Sequence, residues 1–448
     1  MDIHAPSNGR QRFHDATGTG ALGDPSSTTQ DKARVSYKAF YYDAADRATH
    51  GIDVGTNGGA AYTRPGTVPL GSNTVLRTGY AYDDAGRLRD VSDPRGTTTR
   101  TSYDLLGRTT QTVANHVDSG PSDADDQTTQ YTHDGSGHVL TMKAVLPNGA
   151  FQTTQSVYGV GQGTGSDVAS NDVLAATRYP DLTTGSPSSG QQESRTVNAL
   201  GEVKTTTDRR GTVHAYTYDP LGRLTVDAAT TLGSGVDGAV RRREFAFDSA
   251  GRPHTFSTYA ATAGGTPTTQ VLRQYNGLGQ LAREYTNHSG PVNTGTTKYV
   301  GYTYAEMAGG ANHSRPLTVR YPDAKVLAYG YGPSAGLNDR VGRLASLAYN
   351  NVAVEAYDYL GLGTVVRRSQ AERGVDLTYV KQGAEANGDA GDQYSGLDRF
   401  GRVVDQRWIK GATTVDRFTY GYDRVGNRLW RDNLVNAAFG EVYAYDGL

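Results

Sequence analysis

The sequence predicts an all-β fold made of consecutive β-hairpins, on three observations. The phrase Tyr-x-Tyr-Asp-x-x-Gly-Arg, usually followed by Leu or Val, returns along the chain, and internal repeats decide architecture before local propensity does. The copies recur at a spacing that suits one hairpin. No stretch carries a convincing amphipathic helical pattern.

The phrase can be read element by element. It runs Tyr80-Ala81-Tyr82-Asp83-Asp84-Ala85-Gly86-Arg87-Leu88 and returns as Tyr216-Thr217-Tyr218-Asp219-Pro220-Leu221-Gly222-Arg223-Leu224. Two Tyr at i and i+2 face the same side of a strand. Asp opens a turn by accepting from the backbone two residues on. Gly in the fourth turn position suits a type I turn or a hairpin loop that needs a left-handed residue. Arg-Leu starts the return strand. Asp83, Gly86 and Arg87 are therefore structural turn residues, as are Asp219, Gly222 and Arg223. So are Asp104, Gly107 and Arg108, together with Asp248, Gly251 and Arg252. Gly401 and Arg402, and Asp423 and Gly426 with one residue inserted before Arg428, complete the set.

Degenerate copies change in chemically sensible ways. Phe245-Ala246-Phe247-Asp248 keeps both rings and drops the hydroxyls, while Asn198 and Asn276 replace Asp with a residue that makes the same side-chain-to-backbone turn. Asp46 stands where Gly is expected and tolerates positive φ better than most residues. Further copies run from Tyr131 to Val139 and from Leu397 to Val403, and a last one is cut short at Tyr443 to Leu448. Turn chemistry varies least along the series and Arg most. Asp83 and Asp104 are 21 residues apart, as are Asn198 and Asp219. Two strands of about six to eight residues plus two short turns give that length.

This array resembles the YD repeats of the RHS family, found in bacterial polymorphic toxins, insecticidal toxin complexes and animal teneurins. The phrases Tyr179-Pro180-Asp181, Tyr321-Pro322-Asp323 and Gly396-Leu397-Asp398-Arg399-Phe400-Gly401-Arg402-Val403 fit the same pattern. The resemblance covers roughly Val35 to the C-terminus. It implies a single antiparallel sheet, curved or spiralling as an incomplete segment of a hollow β-shell with open edges. It further implies a non-enzymatic structural role in a secreted or surface protein. The implied partner is a C-terminal effector, or other parts of a longer YD-repeat chain, outside this sequence.

Composition agrees. The 448 residues include 57 Gly and 30 Tyr against 9 Phe, and mean hydropathy is -0.58. That is polar for a compact core and too aromatic and periodic for disorder. Thin sheets wetted on one face fit it, since Tyr packs its ring and keeps its hydroxyl on water or a partner. A net charge of -2 gives no support for nucleic acid or an anionic membrane as partner. The chain has no cysteine, which removes disulfides, thiolate metal sites and Cys nucleophiles. No apolar run approaches the length of a membrane span, and the first ten residues lack the apolar core of a signal peptide.

Residues 1–34 read as a loose, poorly ordered polar lead-in, and 35–448 as the array. Insertions or worn repeats are expected near 111–130, 145–195 and 381–395, with little strand pattern in 145–195 outside Phe151 to Tyr158. Several motifs imitate chemistry. Gly18-Thr19-Gly20-Ala21-Leu22-Gly23 matches a dinucleotide fingerprint without the strand that should precede it. Gly332-Pro333-Ser334-Ala335-Gly336 matches a nucleophile elbow but follows Tyr329-Gly330-Tyr331, where a turn belongs. Asp219-Pro220 reads as a type I turn, not as the cleavage phrase of RHS shells. His133 and His138 bracket a turn without a third ligand. The carboxylates sit periodically at turns, as caps or as partners of the Arg four residues on, not as an unlike acid–base pair. No catalytic, metal or cofactor residue is expected. The alternative reading is an extracellular carbohydrate-binding or adhesion module, with exposed Tyr rows stacking on sugar rings.

Overall fold

The computed structural model describes residues 9–11, 36–117, 122, 124–305, 314–334, 336–360, 363–379 and 396–445. The strands of these residues join one antiparallel sheet in which consecutive strands pair. Among the described residues helix is confined to the four-residue turn Leu337–Arg340 and four 3-10 turns. Two compact units carry the contacts. One comprises residues 1–100, 304–318 and 325–448, and the other 101–303 and 319–324.

In the first unit, Ser36–Tyr42 pairs with Ala48–Gly55, which pairs with Leu76–Tyr82, and then Leu88–Ser92 follows. In the second, Val203–Thr207, Val213–Tyr218, Leu224–Thr231, Arg242–Phe247, Pro253–Tyr259, Thr269–Tyr275 and Leu281–Asn287 pair in succession. Each Tyr-Asp hairpin shifts register by one residue just before its turn. The shift falls between Ala81 and Tyr82, Thr217 and Tyr218, Ala246 and Phe247, Gln274 and Tyr275, and Gly421 and Tyr422. That is a bulge placed by a left-handed Gly at the end of a type I turn.

The opposite ends of the hairpins carry turns of related chemistry that the sequence reading did not single out. Asp93-Pro94-Arg95-Gly96-Thr97 joins Leu88–Ser92 to Thr98–Tyr103, and Asp208-Arg209-Arg210-Gly211-Thr212 joins Val203–Thr207 to Val213–Tyr218. In both, the Gly N–H donates to the Asp carbonyl, and the N–H of the residue after Gly donates to the Asp carboxylate. Because antiparallel strands alternate in direction, every Tyr-Asp turn lies on one rim of the sheet and every Asp-x-x-Gly-Thr turn on the other. Tyr321-Pro322-Asp323-Ala324-Lys325 closes on the second rim, with Ala324 at φ +70.

The stretch 145–195 corrects one expectation. It holds three of the longest strands, Phe151–Val160, Ser170–Pro180 and Pro187–Val197, paired in order. Pro187–Val197 is polar between its two ends, so no period-2 apolar signal marks it. Near 111–130, Thr109–Ala114 pairs with Gln127–His133 around a longer connection. Gly9–Gln11 pairs with the start of Ser36–Tyr42. The rest of 1–34, with Gly18 to Gly23, and the segment 381–395 lie outside the described residues.

The interior is thin. Ala39, Tyr41, Ile52 and Val54 form one buried cluster, flanked by Tyr37, Tyr62, Val68 and Val75, and Val366 and Leu397 form another. With so few fully buried aliphatic groups, the polar contacts of the turns carry much of the specificity.

Candidate functional site

The repeated turn is the site that the sequence offers, and it closes in the same way in each copy. The Asp83 N–H donates to the Arg87 carbonyl at 2.9 Å, and the Gly86 N–H donates to the Asp83 carbonyl at 2.9 Å. One carboxylate oxygen of Asp83 accepts the Arg87 N–H at 2.8 Å, and the other accepts Arg87 Nε at 2.7 Å. Asp104 holds Arg108, Asp219 holds Arg223, Asp248 holds Arg252 and Asp398 holds Arg402 by the same two bonds. Gly86, Gly107, Gly222, Gly251, Gly401 and Gly426 have φ of +80, +81, +75, +80, +84 and +98, and Asp46 takes their place at +58.

These bonds favour the ionised carboxylate. The Arg87 backbone N–H, followed by its side chain, holds Asp83 below the usual carboxylate range, and Arg108 does the same for Asp104. At Asp219 and Asp248 the guanidinium of Arg223 or Arg252 is the largest cause, ahead of the backbone N–H.

The Arg also reaches the next repeat. Arg47 lies over the ring of Tyr82 at 4.6 Å, Arg252 over Tyr275 at 4.5 Å and Arg402 over Tyr422 at 5.0 Å. Arg315 covers Tyr331 and Arg343 covers Tyr359, and Arg223 covers Phe247 at 4.1 Å. The covered Tyr then donates its hydroxyl to the carbonyl of the residue directly after that Arg. Tyr82 reaches Ala48 at 2.9 Å, Tyr275 Pro253 at 2.6 Å, Tyr331 Pro316 at 2.8 Å, Tyr359 Leu344 at 2.5 Å and Tyr422 Val403 at 2.8 Å. Arg108 and Arg402 add a bond from the guanidinium to the Asp carbonyl of the next turn, at 2.7 Å each. Asp, Arg and Tyr thus form a ladder that couples neighbouring repeats. In these copies the second ring of the phrase, a candidate for sugar stacking, is spent on the preceding repeat. Replacing Tyr275 by Phe is expected to cost about 1 kcal/mol, the net value of one such hydrogen bond, read from urea unfolding; no loss would mean that the hydroxyl contributes nothing.

The Arg position, the most varied along the copies, follows a rule. Where the turn opens with Asp, the residue four on is a donor: Arg, His138 on Asp134 at 2.8 Å, or Asn427 on Asp423 at 3.1 Å. Where it opens with Asn, the residue four on is an acceptor. Asn198 Nδ2 donates to Glu202 at 2.7 Å and Asn276 Nδ2 to Gln280 at 2.8 Å. Comparing the copies by donor and acceptor, not by charge, would have revealed this pairing from sequence.

Among the described residues, the other imitating motifs lie at turns. The Gly336 N–H donates to the Pro333 carbonyl at 3.0 Å, and Gly332 has φ +78. Asp219-Pro220 closes an ordinary Asp–Arg turn. His138 stacks on Tyr158 at 4.4 Å, and His133 pairs with Val139 across the hairpin. Among the described residues no group of three His, Asp or Glu could hold a metal ion.

Within the first unit the two rims meet. The Thr56 N–H donates to the Arg399 carbonyl at 2.9 Å, Arg399 reaches the Thr74 carbonyl at 3.3 Å and Arg424 reaches Asn73 at 3.1 Å. Arg95 stands 3.6 Å from Asp423. Turns 398–402 and 423–427 belong to the Tyr-Asp rim, and 56–75 and 93–97 to the opposite one. Gly55, at φ +56, lies so close that an added Cβ would land on the Arg399 carbonyl and 3.1 Å from the Phe400 ring.

The RHS Repeat family profile matches residues 82–116, which hold the turns at Asp83, Asp93 and Asp104. Residues 82–116 are an RHS repeat. The fold of the chain is similar to that in the crystal structure of TcdB2-TccC3-TEV, with a TM-score of 0.51 and 13% identity. The match covers 98% of this chain and 22% of that one, so the chain spans about a fifth of the solved structure's length. The Photorhabdus luminescens Tc holotoxin pore, with a TccC3 mutation, matches 90% of this chain and 22% of that one at 13% identity and a TM-score of 0.45. No curated protein matches the chain. No helix among the described residues is long and apolar enough to cross a membrane.

Proposed function

We propose that this chain is a non-enzymatic wall segment of a secreted or surface protein, and that the wall encloses or presents an effector lying outside the 448 residues. The observation that carries the reading is the Asp–Arg–Tyr ladder. Its recurrent side chains are spent on holding each hairpin to the next, and among the described residues no unlike acid–base pair converges on them. A sheet stiffened through its turns suits containment, because it needs little apolar core to keep its register.

The test is to express the chain with whatever its reading frame encodes beyond Leu448 and to treat the product with protease. A segment cut at least about tenfold more slowly when joined to the wall supports enclosure, a protection set by the population of its open form. A segment cut equally fast in both forms, or a frame that ends at Leu448, overturns the C-terminal effector. The wall itself is expected to hydrolyse no glycoside, ester or peptide. Turnover abolished by Ser334→Ala or by a single carboxylate substitution would refute the non-enzymatic assignment.

A further inference from the structure

Two neighbouring copies in the second unit depart from the phrase, and the departures line one cavity. In Phe245-Ala246-Phe247 both rings lack hydroxyls. Phe247 therefore lies beneath Arg223 but cannot donate to the carbonyl after it, as Tyr275 and Tyr422 do in their repeats. In the first ring position, Tyr216 and Tyr420 bond to Thr206 and Gln406 of earlier strands. Phe245 instead packs on Phe256 of the following strand, with ring centres 5.3 Å apart and planes tilted by 57°. In the next copy, Arg273-Gln274-Tyr275-Asn276, an arginine takes the first ring position. Phe245, Phe247, Phe256, Val271, His254 and Arg273 line a cavity of about 260 Å3. Breaks in a rule kept elsewhere collect where a protein has something to bind.

We propose that this cavity binds a small aromatic acid, a single ring carrying a carboxylate on a short chain. The lining argues for each part. Three Phe and Val271 offer no hydrogen bond along most of the wall, and the tilted Phe245–Phe256 pair presents both a ring edge and a ring face to a third ring. A cavity of about 150 Å3 already takes one benzene ring, so the remaining space suits a short chain. The polar groups stand together, because Thr255 pairs with Leu272 and so sets His254 beside Arg273. Glu284 accepts from Arg273 Nε at 2.8 Å, which fixes the guanidinium and leaves its two terminal nitrogens to hold a carboxylate as a fork. His254 shares Nδ1 with the Thr255 hydroxyl at 2.9 Å, which leaves Nε2 for the same group. An apolar wall with a few convergent polar groups is the usual make-up of a small-molecule site. The inference goes beyond the wall reading and holds whether or not the wall encloses an effector.

Phenylacetate is the probe, titrated into the purified full chain with its phenylalanines isotope-labelled for NMR. Of the nine Phe, the signals of Phe245, Phe247 and Phe256 should shift and saturate below ~10 mM. Benzyl alcohol keeps the ring without the charge and should bind at least about tenfold more weakly, and acetate should shift none of the three. Arg273→Gln should reduce phenylacetate to the affinity of benzyl alcohol and leave benzyl alcohol itself unchanged. Val271→Phe fills the cavity and should abolish binding of both. Phe245→Tyr returns the ring of the intact phrase, so circular dichroism and the urea midpoint should stay at or above those of the parent while both probes bind more weakly. That variant keeps the test decisive if Val271→Phe does not fold. Absence of saturation, equal affinity for benzyl alcohol, shifts spread over the other phenylalanines, or affinity untouched by Arg273→Gln and Phe245→Tyr would each overturn the proposal.

Discussion

Gly55→Ala should open the seam of the first unit, at a cost of about 2–4 kcal/mol. Two penalties combine. Alanine at φ +56 sits in a left-handed conformation that costs about 1–2 kcal/mol. Its Cβ would also occupy the place of the Arg399 carbonyl oxygen, and a backbone atom cannot swing aside as a side chain can. Relief requires that the Thr56 to Arg399 bond break, which leaves a buried N–H without its acceptor. Hydrogen exchange at the Thr56 amide should accelerate by at least about tenfold, corresponding to some 1.4 kcal/mol of lost protection. Gly107→Ala is the control. Gly107 has φ +81 with nothing near its Cβ position, so it should cost only about 1 kcal/mol. Equal effects of the two substitutions would mean that conformation alone matters and that the seam contributes nothing.

This comparison also separates what was legible in the sequence from what was not. Asp83, Gly86 and Arg87 announce their turn because all its contacts lie within five residues, and a short phrase repeated many times makes such local chemistry visible. The Asp93 and Asp208 turns of the other rim use the same chemistry but lack the Tyr pair before and the Arg after that make the first phrase stand out as a repeat. Tyr275 shows an intermediate case. Its ring was legible as a packing group, but the acceptor of its hydroxyl, Pro253, belongs to the preceding hairpin and follows only once the strand pairing is known. The seam was not legible at all. Thr56 and Arg399 are separated by most of the chain, and nothing in either residue type marks the other. The strands Ser170–Pro180 and Pro187–Val197 fell between these cases, because the first carries its apolar residues as one run, Val173 to Ala176, and the second is polar between its two ends, so neither shows the alternation that betrays strands elsewhere.

The ladder makes acid the agent to which the array should be most sensitive. Asp43, Asp83, Asp104, Asp219 and Asp248 are all held below the usual carboxylate range by the residue four positions on. A carboxylate whose folded pKa is depressed stabilises the fold above its unfolded pKa, and that contribution is lost as pH falls through the folded value. Stability should therefore be flat near neutrality and fall once pH drops below the ordinary carboxylate range, with the repeats weakening together. The chain supplies its own control in Asn276 and Gln280, which make the same turn with no titrating group. Asp248→Asn alone should destabilise at neutral pH, because the amide NH2 then faces the Arg252 guanidinium, donor against donor. Arg252→Gln alone removes the guanidinium that covers Tyr275 and leaves the carboxylate facing an amide. The double substitution Asp248→Asn, Arg252→Gln should recover much of the loss of the first and make that turn indifferent to acid. The readout is the urea midpoint of the parent, both single variants and the double variant, taken at neutral pH and at pH 3. Strictly additive effects of the two substitutions would show that positions one and five of the turn are not coupled. An acid profile unchanged in the double variant would show that this pair contributes nothing to it. Coupling with a flattened profile is the expected result, since the donor–acceptor match recurs in every complete turn of the Tyr-Asp rim described above.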